Sequence, residues 1–336
     1  MKKIFVLNMC LLVISCAGLK AQTDPHFTQN YTYPLYINPA LTGSSDGDYR
    51  VSAVYRSQWG SVGNPYRTIG VSGDMRTPNN LAVGVNILKQ SAGDAGFNYV
   101  TAYASVAYSG VRFGSEEKHR IVFAMQGGVM DRRIDESKFQ WGEQWNPVTG
   151  YNALNPTSES FANRSATTLD LGAGILYYDA GADQKANAFA GLSVFHINKP
   201  RDLIITSDNG DAYTIPYRYV VHGGASINLS DDFRLVPHAL LMRQGTAGEN
   251  MIGIYAQKNI NSQTDLMLGA YYRNKDAIAP FVGVDFQNFL IGLSYDLNTS
   301  TLGRNARNIN SFELSLSFVE RKDSESIFSF FRCPRL

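Results

Sequence analysis

The chain has 336 residues, of which 44% are hydrophobic, 12% aromatic and only 18% charged. This composition is too apolar and too weakly charged for a disordered protein. The formal net charge of +1 gives no indication of a large basic surface, so nucleic acid is not an expected partner. A helical membrane protein is also excluded, because the single long apolar run lies at the very start of the chain. The length suits one large β-barrel.

Residues 1–21 are expected to be a signal peptide. Two lysines precede the apolar run, and Ala21 is a small residue at a suitable cleavage position. The residues before Cys16 loosely resemble the acylation motif of lipoproteins, so a lipid anchor is an alternative. Cleavage after Ala21 leaves Cys333 as the one cysteine of the mature chain, so no internal disulfide is expected.

Residues 22–47 differ from the rest of the chain. Between Asp24 and Gly43 they contain three prolines and three tyrosines, which is not the composition of a barrel strand. We expect this segment to be either a plug on the inner wall or periplasmic mouth of a barrel, or a docking segment on the periplasmic side. A disordered leader is the alternative, because termini are often loose. The aromatic rings favour burial, since a free chain would leave them in water.

Residues 48–320 alternate apolar and polar side chains in segments of about ten residues. Leu293 belongs to the bulky phase of one segment, and Ser294 belongs to its small or polar phase. Bulky apolar residues on one face and small or polar residues on the other are typical of transmembrane β-barrels. The sequence therefore predicts an all-β, antiparallel up-and-down barrel of about fourteen strands, with Leu293 facing lipid and Ser294 facing the lumen. The predicted strands are 48–59, 66–75, 80–89, 97–113, 119–130, 167–179, 185–198, 217–229, 232–243, 250–259, 264–273, 277–286, 288–298 and 308–319.

The connections between these strands alternate in length. Every even-numbered connection is short, whereas the odd-numbered ones include residues 131–166 and 199–216. Short turns at one end and long loops at the other are typical of outer-membrane barrels, whose long loops face outside. The sequence therefore predicts an outer-membrane protein with both termini in the periplasm and a C-terminal tail over residues 321–336. A secreted β-sandwich array is the alternative, but its strands would be shorter and its loops would lack this parity.

The sequence carries no recognisable motif for catalysis. Its five histidines form no zinc-protease pattern, and it has neither a nucleophile elbow nor a phosphate-binding loop. Gly172 and Gly174 lie within a predicted strand, where they indicate a kink or close packing rather than a dinucleotide site. Residues 208–211 form a polar turn that could hold calcium, although the spacing is not that of a known calcium loop. We expect no enzyme, no cofactor and no metal.

Aromatic residues supply the candidate binding positions. Trp141 and Trp145 lie in the longest predicted loop, where such residues can contact a partner. They can equally belong to an aromatic girdle or to a loop folded over the barrel mouth. Together with Phe27, Tyr36 and Pro39 of the N-terminal segment, they are the candidate partner-binding residues.

Three blocks of the sequence, in the same order, resemble those of one known family. The first block consists of Asp24, Pro25, Phe27, Gln29, Pro34, Leu35, Tyr36, Asn38, Pro39, Ala40 and Gly43. The second block is residues 55–59 followed by Pro65 and Tyr66, and the third is Cys333-Pro334-Arg335 followed by the bulky Leu336. These blocks resemble the PorP/SprF family of type IX secretion membrane proteins, although residues 60–64 are longer than the usual connector.

The resemblance implies a non-catalytic outer-membrane component of the type IX secretion and gliding machinery. Such a barrel would bind the C-terminal secretion domain of a secreted, adhesin-like surface protein and anchor or export it. It would also contact periplasmic components of the machinery and the lipid of the outer membrane. A porin or hydrophobic-solute channel is the alternative function, and a soluble secreted adhesin is a third. The lumen separates the first two, because a pore needs an open polar passage, whereas a docking barrel can be filled.

Overall fold

The computed structural model describes residues 24–60, 65–92, 96–158, 163–181, 184–206, 212–300 and 310–320. The expected signal peptide, the C-terminal tail with Cys333 and the candidate calcium turn at 208–211 lie outside these residues. Within the described ranges, no helix is both long enough and apolar enough to cross a membrane.

Fourteen strands form one closed antiparallel barrel, which confirms the predicted fold class. Each strand pairs with its neighbour in the chain, and the first strand pairs with the last. All predicted strand boundaries lie within three residues of the observed ones. The barrel strands are β1 (Tyr49–Gln58), β2 (Tyr66–Arg76), β3 (Leu81–Ala92), β4 (Phe97–Phe113), β5 (His119–Arg133), β8 (Ser165–Asp179), β9 (Ala186–Phe195), β12 (Arg218–Ser230), β13 (Phe233–Gln244), β14 (Ala247–Asn261), β15 (Thr264–Arg273), β16 (Ala277–Phe286), β17 (Phe289–Asn298) and β18 (Ser311–Val319).

Two small hairpins in the longest loops were not predicted. The first consists of β6 (Trp145–Asn146) and β7 (Gly150–Tyr151), and the second of β10 (Arg201–Thr206) and β11 (Ala212–Thr214). The strands of the first hairpin have two residues each, which is too short for alternation to identify them.

Side chains alternate between the two faces of the barrel wall. Leu293 is 47% exposed and points outward, whereas Ser294 is 1% exposed and points into the lumen. The same alternation continues in β18, where Phe312 and Leu314 are exposed and Glu313 is buried. Successive residues of a strand face opposite sides, so one face is apolar for lipid and the other carries the polar groups. The predicted phase of β17 is confirmed.

The two ends of the barrel differ as predicted. One end, the long-loop end, carries residues 134–164 and 196–217. The other, the short-turn end, carries tight turns such as 231–232 and 287–288. The N-terminal segment, defined here as residues 24–48, meets the last strand at the short-turn end, where the Asp48 N–H donates to the Glu320 carbonyl at 3.1 Å.

The N-terminal segment lies inside the barrel as a series of tight turns. Its 3₁₀ turns are Asn30–Thr32, Pro34–Tyr36 and Pro39–Leu41. Proline begins the second and third turns, where its missing N–H costs no hydrogen bond. The Asn38 side chain accepts a hydrogen bond from the Ala40 N–H and caps the third turn. The prolines that prevent pairing with the sheet therefore also start the turns that compact the segment.

We expect the outward face of β17 to tolerate charge poorly. A Leu293→Arg change near the middle of the strand should cost about 2–4 kcal/mol of unfolding free energy, because it places a charge in hydrocarbon. Ile260 is also exposed and lies near the short-turn end of β14. An Ile260→Arg change should therefore cost only about 0–1 kcal/mol. Urea titrations of both variants refolded into liposomes measure the difference, and equal costs would mean that Leu293 does not face the bilayer core.

Candidate functional site

The start of the N-terminal segment is held at the long-loop end. Asp24 Oδ2 lies 2.9 Å from His196 Nε2 and 2.9 Å from Arg218 Nη1. His196 follows β9, and Arg218 is the first residue of β12. The other ring nitrogen of His196 lies 2.9 Å from Asp170 Oδ2. We call these four side chains the Asp24 latch. The latch ties the first described residue of the chain to the mouth between the long loops.

A second charged cluster holds the segment at the same end. Arg56 pairs with Asp296 at 2.6 Å and with Glu313 at 3.0 Å. The backbone N–H groups of Thr28 and Gln29 both donate to the Glu313 carboxylate, at 2.9 and 2.6 Å. The Thr28 hydroxyl donates to Asp296 and accepts hydrogen bonds from Arg56 and from Arg273 of β15. We call this set the Arg56 cluster.

The middle of the segment contacts the middle of the barrel wall. Asn38 Nδ2 donates to the Ile175 carbonyl at 3.1 Å and lies 3.0 Å from His222 Nε2. The Ser193 hydroxyl donates to the Ile37 carbonyl at 2.6 Å. These contacts come from three consecutive strands of the wall, β8, β9 and β12. The middle of the segment therefore packs against one continuous patch of the inner face.

The end of the segment is held at the short-turn end. The Gly43 N–H donates to Asp74 Oδ2 at 2.7 Å, and Arg50 Nε donates to Asp74 Oδ1 at 2.9 Å. Arg50 also donates to the Leu41 carbonyl at 3.0 Å. Arg76 donates to the carbonyl groups of Gly43 and Ser45. The segment is thus fixed at both ends and in the middle.

Glycines in the wall make room for the side chains of the segment. A Cβ atom on Gly70 would lie 2.6 Å from the Tyr33 ring, and one on Gly84 would lie 2.8 Å from Leu35 Cδ2. Contacts this short would force the neighbouring side chain to move, so glycine provides the room that these side chains occupy. The same holds at three further strand positions, where a Cβ would clash with Asn38 or Gln29: Gly174, Gly191 and Gly292.

Aromatic rings fill the remaining space on one side of the segment. Phe27 packs edge-on against Tyr33 and Tyr36, with ring centroids 5.5 and 5.4 Å apart. The guanidinium of Arg218 lies 4.5 Å from the centroid of the Tyr36 ring. Edge-to-face ring pairs and a buried cation on an aromatic face are both stabilising arrangements. The segment therefore contributes to a packed core.

The charge states of the Asp24 latch follow from its pairing. Burial alone would raise the pKa of Asp24, but His196 and Arg218 hold that pKa well below its usual range. Burial alone would lower the pKa of His196, but Asp24 and Asp170 raise it to about 9. At neutral pH His196 is therefore a charged imidazolium, paired with Asp24 and Asp170.

The predicted site residues fall into two different surroundings. Phe27, Tyr36 and Pro39 are buried inside the barrel, so in this conformation their side chains contact the wall rather than a partner. Trp145 is 54% exposed in the β6–β7 hairpin, where its ring lies 5.9 Å from that of Tyr151. The role of the five predicted residues in partner binding stays a prediction.

The loop that carries the two tryptophans has its own internal order. Trp141 stacks on Phe139 with ring centroids 5.5 Å apart. Gln144 is buried and donates from its side chain to the Asn155 carbonyl at 3.1 Å. These contacts leave the apolar side chains of Val148 and Leu154 each 91% exposed. The loop therefore presents an apolar surface at the long-loop end.

Several residues that position the segment were not identified from the sequence. Asp296 and Glu313 stand out only as charges in the lumen phase of β17 and β18, and the sequence does not reveal their partners. A glycine at a strand position that faces the lumen is the other sequence feature that can indicate contact with the segment. At Gly174 the expectation of close packing is confirmed, with Asn38 as the neighbour.

We expect an added methyl group at Gly70 to loosen the N-terminal segment. In a Gly70→Ala variant the methyl overlaps the Tyr33 ring, and overpacking of this kind costs about 1–3 kcal/mol. Gly73 of the same strand is the matched control, because its Cβ would meet only the Arg50 carbonyl at an ordinary 3.8 Å. Proteolysis of residues 24–48 should be faster in Gly70→Ala and unchanged in Gly73→Ala. Unchanged protection in both variants would argue against close contact between Tyr33 and the wall.

The Asp24 latch should weaken in alkaline solution. The pKa of His196 is raised from its ordinary 6.5 to about 9, so its stabilisation is fully present below pH 6.5 and is lost as the pH rises through 9. Proteolysis of the segment should therefore accelerate across this range. His196→Gln should flatten the pH profile, whereas His119→Gln, at the start of β5 by the short-turn end, should not. If wild type and His196→Gln gave the same profile, the latch would not be responsible.

Comparison with known proteins agrees with this architecture. The Pseudomonas putida toluene transporter TodX is similar in structure, with a TM-score of 0.50 and 9% sequence identity over 88% of this chain and 94% of the transporter chain. The Ralstonia pickettii toluene transporter TbuX has a TM-score of 0.48 and 10% identity over 84% of this chain and 91% of its own. At such low identity these similarities concern the fold alone. A search of curated proteins finds no match.

The family comparison covers most of the chain. A model of the type IX secretion system membrane protein PorP/SprF matches residues 19–318. The match includes the whole N-terminal segment and all barrel strands except the last residue of β18. This match and the closed barrel of fourteen strands together show that the protein is an outer-membrane component of type IX secretion. The chain belongs to the PorP/SprF family of type IX secretion system membrane proteins.

Proposed function

We propose that this protein is a closed docking barrel, which binds the C-terminal domain of a secreted surface protein at its long-loop end and contacts periplasmic secretion components at its short-turn end. The observation that carries the proposal is the occupation of the lumen by the N-terminal segment. The proposal assigns no catalytic step to the barrel.

The charged groups of the lumen support a closed barrel rather than a pore. Arg56 is 1% exposed and Glu313 is fully buried, and the two side chains pair with each other. A polar channel would instead present such groups to water along a passage. Removing the N-terminal segment would break the hydrogen bonds of Thr28 and Gln29 with Glu313 and expose the cluster. Separating buried charges from their partners is costly, so a closed lumen is the stable state.

The long-loop end supports docking of a protein partner. Val148, Leu154 and Trp145 expose apolar side chains on one ordered loop. Exposed apolar groups of this kind, and tryptophan above all, supply binding energy in protein interfaces. The family assignment supports a secreted protein as the partner, and it also supports contact with periplasmic components of the secretion system.

We expect charge on the loop that carries the β6–β7 hairpin, residues 134–164, to weaken partner binding. Val148→Asp and Leu154→Asp together place charges where an apolar contact is proposed, and retention of the partner should fall at least tenfold. Thr149→Asp is the matched control, because it adds a charge to the same exposed loop without removing an apolar group. The measurement is the amount of secreted protein that co-purifies with the tagged barrel. Full retention in the double variant would exclude this loop as the docking surface.

Conductance separates the proposal from the channel alternative. In a planar bilayer, the wild-type barrel should show no steady ion conductance. Removal of residues 24–36 behind an intact signal peptide should open the lumen, provided that the variant remains a heat-modifiable barrel. Steady conductance through the wild-type protein would favour a porin or solute channel.

A further inference from the structure

We infer that the N-terminal segment runs through the barrel from end to end, so that Asp24 lies at the mouth that faces the cell surface. This inference concerns topology and does not depend on which partner the barrel binds. It differs from the sequence-based expectation of two periplasmic termini, because Asp24 lies at the end of the barrel opposite to Asp48 and Glu320.

Two contacts with β1 give the distance that the segment covers along the barrel wall. Arg56 near its far end holds Thr28, and Arg50 near its beginning holds the Leu41 carbonyl. These two arginines are six residues apart in β1, which corresponds to about 20 Å along a strand. Residues 28 and 41 of the segment therefore lie about 20 Å apart along the wall, with residue 28 nearer to the long loops.

Contacts with other strands give the same direction. Asp24 meets Arg218 at the start of β12, directly after the loop of residues 196–217. Gly43 meets Asp74 near the end of β2, next to the short turn of residues 77–80. Asn38 contacts Ile175, four residues before the short-turn end of β8. The path is not straight, because the Tyr36 carbonyl still accepts a hydrogen bond from Arg218. The first and last contacts of the segment nevertheless lie at opposite ends of the barrel.

The direction has a consequence for which parts of the segment can meet a partner. Long loops of outer-membrane barrels face outside the cell and short turns face the periplasm. Asp24 therefore lies at the cell-surface mouth of the barrel, among the long loops. On the periplasmic side, the segment offers only the stretch after Gly43. Periplasmic docking through Phe27 or Tyr36 would require the segment to leave the lumen first.

Epitope insertion tests the topology directly in whole cells. One epitope is inserted between Gln22 and Thr23, a second at Val148 in the long loop, and a third at Asp231 in a short turn. With an antibody applied to intact cells, the first two should be labelled and the third should be labelled only after the outer membrane is permeabilised. An N-terminal epitope that is labelled only after permeabilisation, together with a labelled Val148 epitope, would overturn the inference. So would labelling of the Asp231 epitope on intact cells.

Single cysteine substitutions test the same topology without an inserted epitope that could disturb folding. In a Cys333→Ser background, Thr23→Cys should react with a membrane-impermeant maleimide on intact cells, and Asp231→Cys should not. Heat-modifiable gel mobility confirms that each variant is a folded barrel. Reaction at position 231 but not at position 23 would overturn the inference independently of the epitopes.

Discussion

The structure depends on one buried ion-pair network, in which Arg56 of β1 meets Asp296 of β17 and Glu313 of β18. Charges buried to this degree are strongly unfavourable unless they are paired and hydrogen-bonded. The pairing lies where the first and last strands close the barrel. Thr28 and Gln29 complete it with hydrogen bonds to the carboxylates. The same buried charges are therefore paired across the first and last strands of the wall and hydrogen-bonded by the N-terminal segment.

The rest of the lumen is consistent with this constraint. The wall presents glycine opposite the bulky or polar side chains of the segment, as at Gly70 opposite Tyr33. Aromatic rings and the Asp24 latch fill the mouth on the long-loop side. The described residues of the segment are thus mostly buried against the inner face of the wall, while the outer face is apolar. In the proposed function, a barrel filled in this way binds its partners at its two ends.

Much of the fold follows from local patterns in the sequence. The alternation around Leu293 and Ser294 predicts the wall, because strand geometry imposes a period of two on a surface between lipid and lumen. The parity of the loops predicts the two different ends. The pairing of Thr28 with Glu313 is not predictable in this way, since the residues are 285 positions apart and no local pattern links them. The short hairpin at Trp145 was missed because two-residue strands have no period.

A chain threaded through its own barrel has an order of assembly built into it. The N-terminal segment is synthesised first, whereas β18, which closes the wall against β1, is synthesised last. Once β1 and β18 have paired, the twenty-five residues of the N-terminal segment can reach their observed positions only by passing into a closed ring of fourteen strands. Entry while the sheet is still open avoids this threading. Contacts across nearly the whole chain form slowly, because closing such long loops is entropically unfavourable. An open sheet, with β1 and β18 still apart, therefore lets the N-terminal segment bind its inner face before the barrel closes in the membrane.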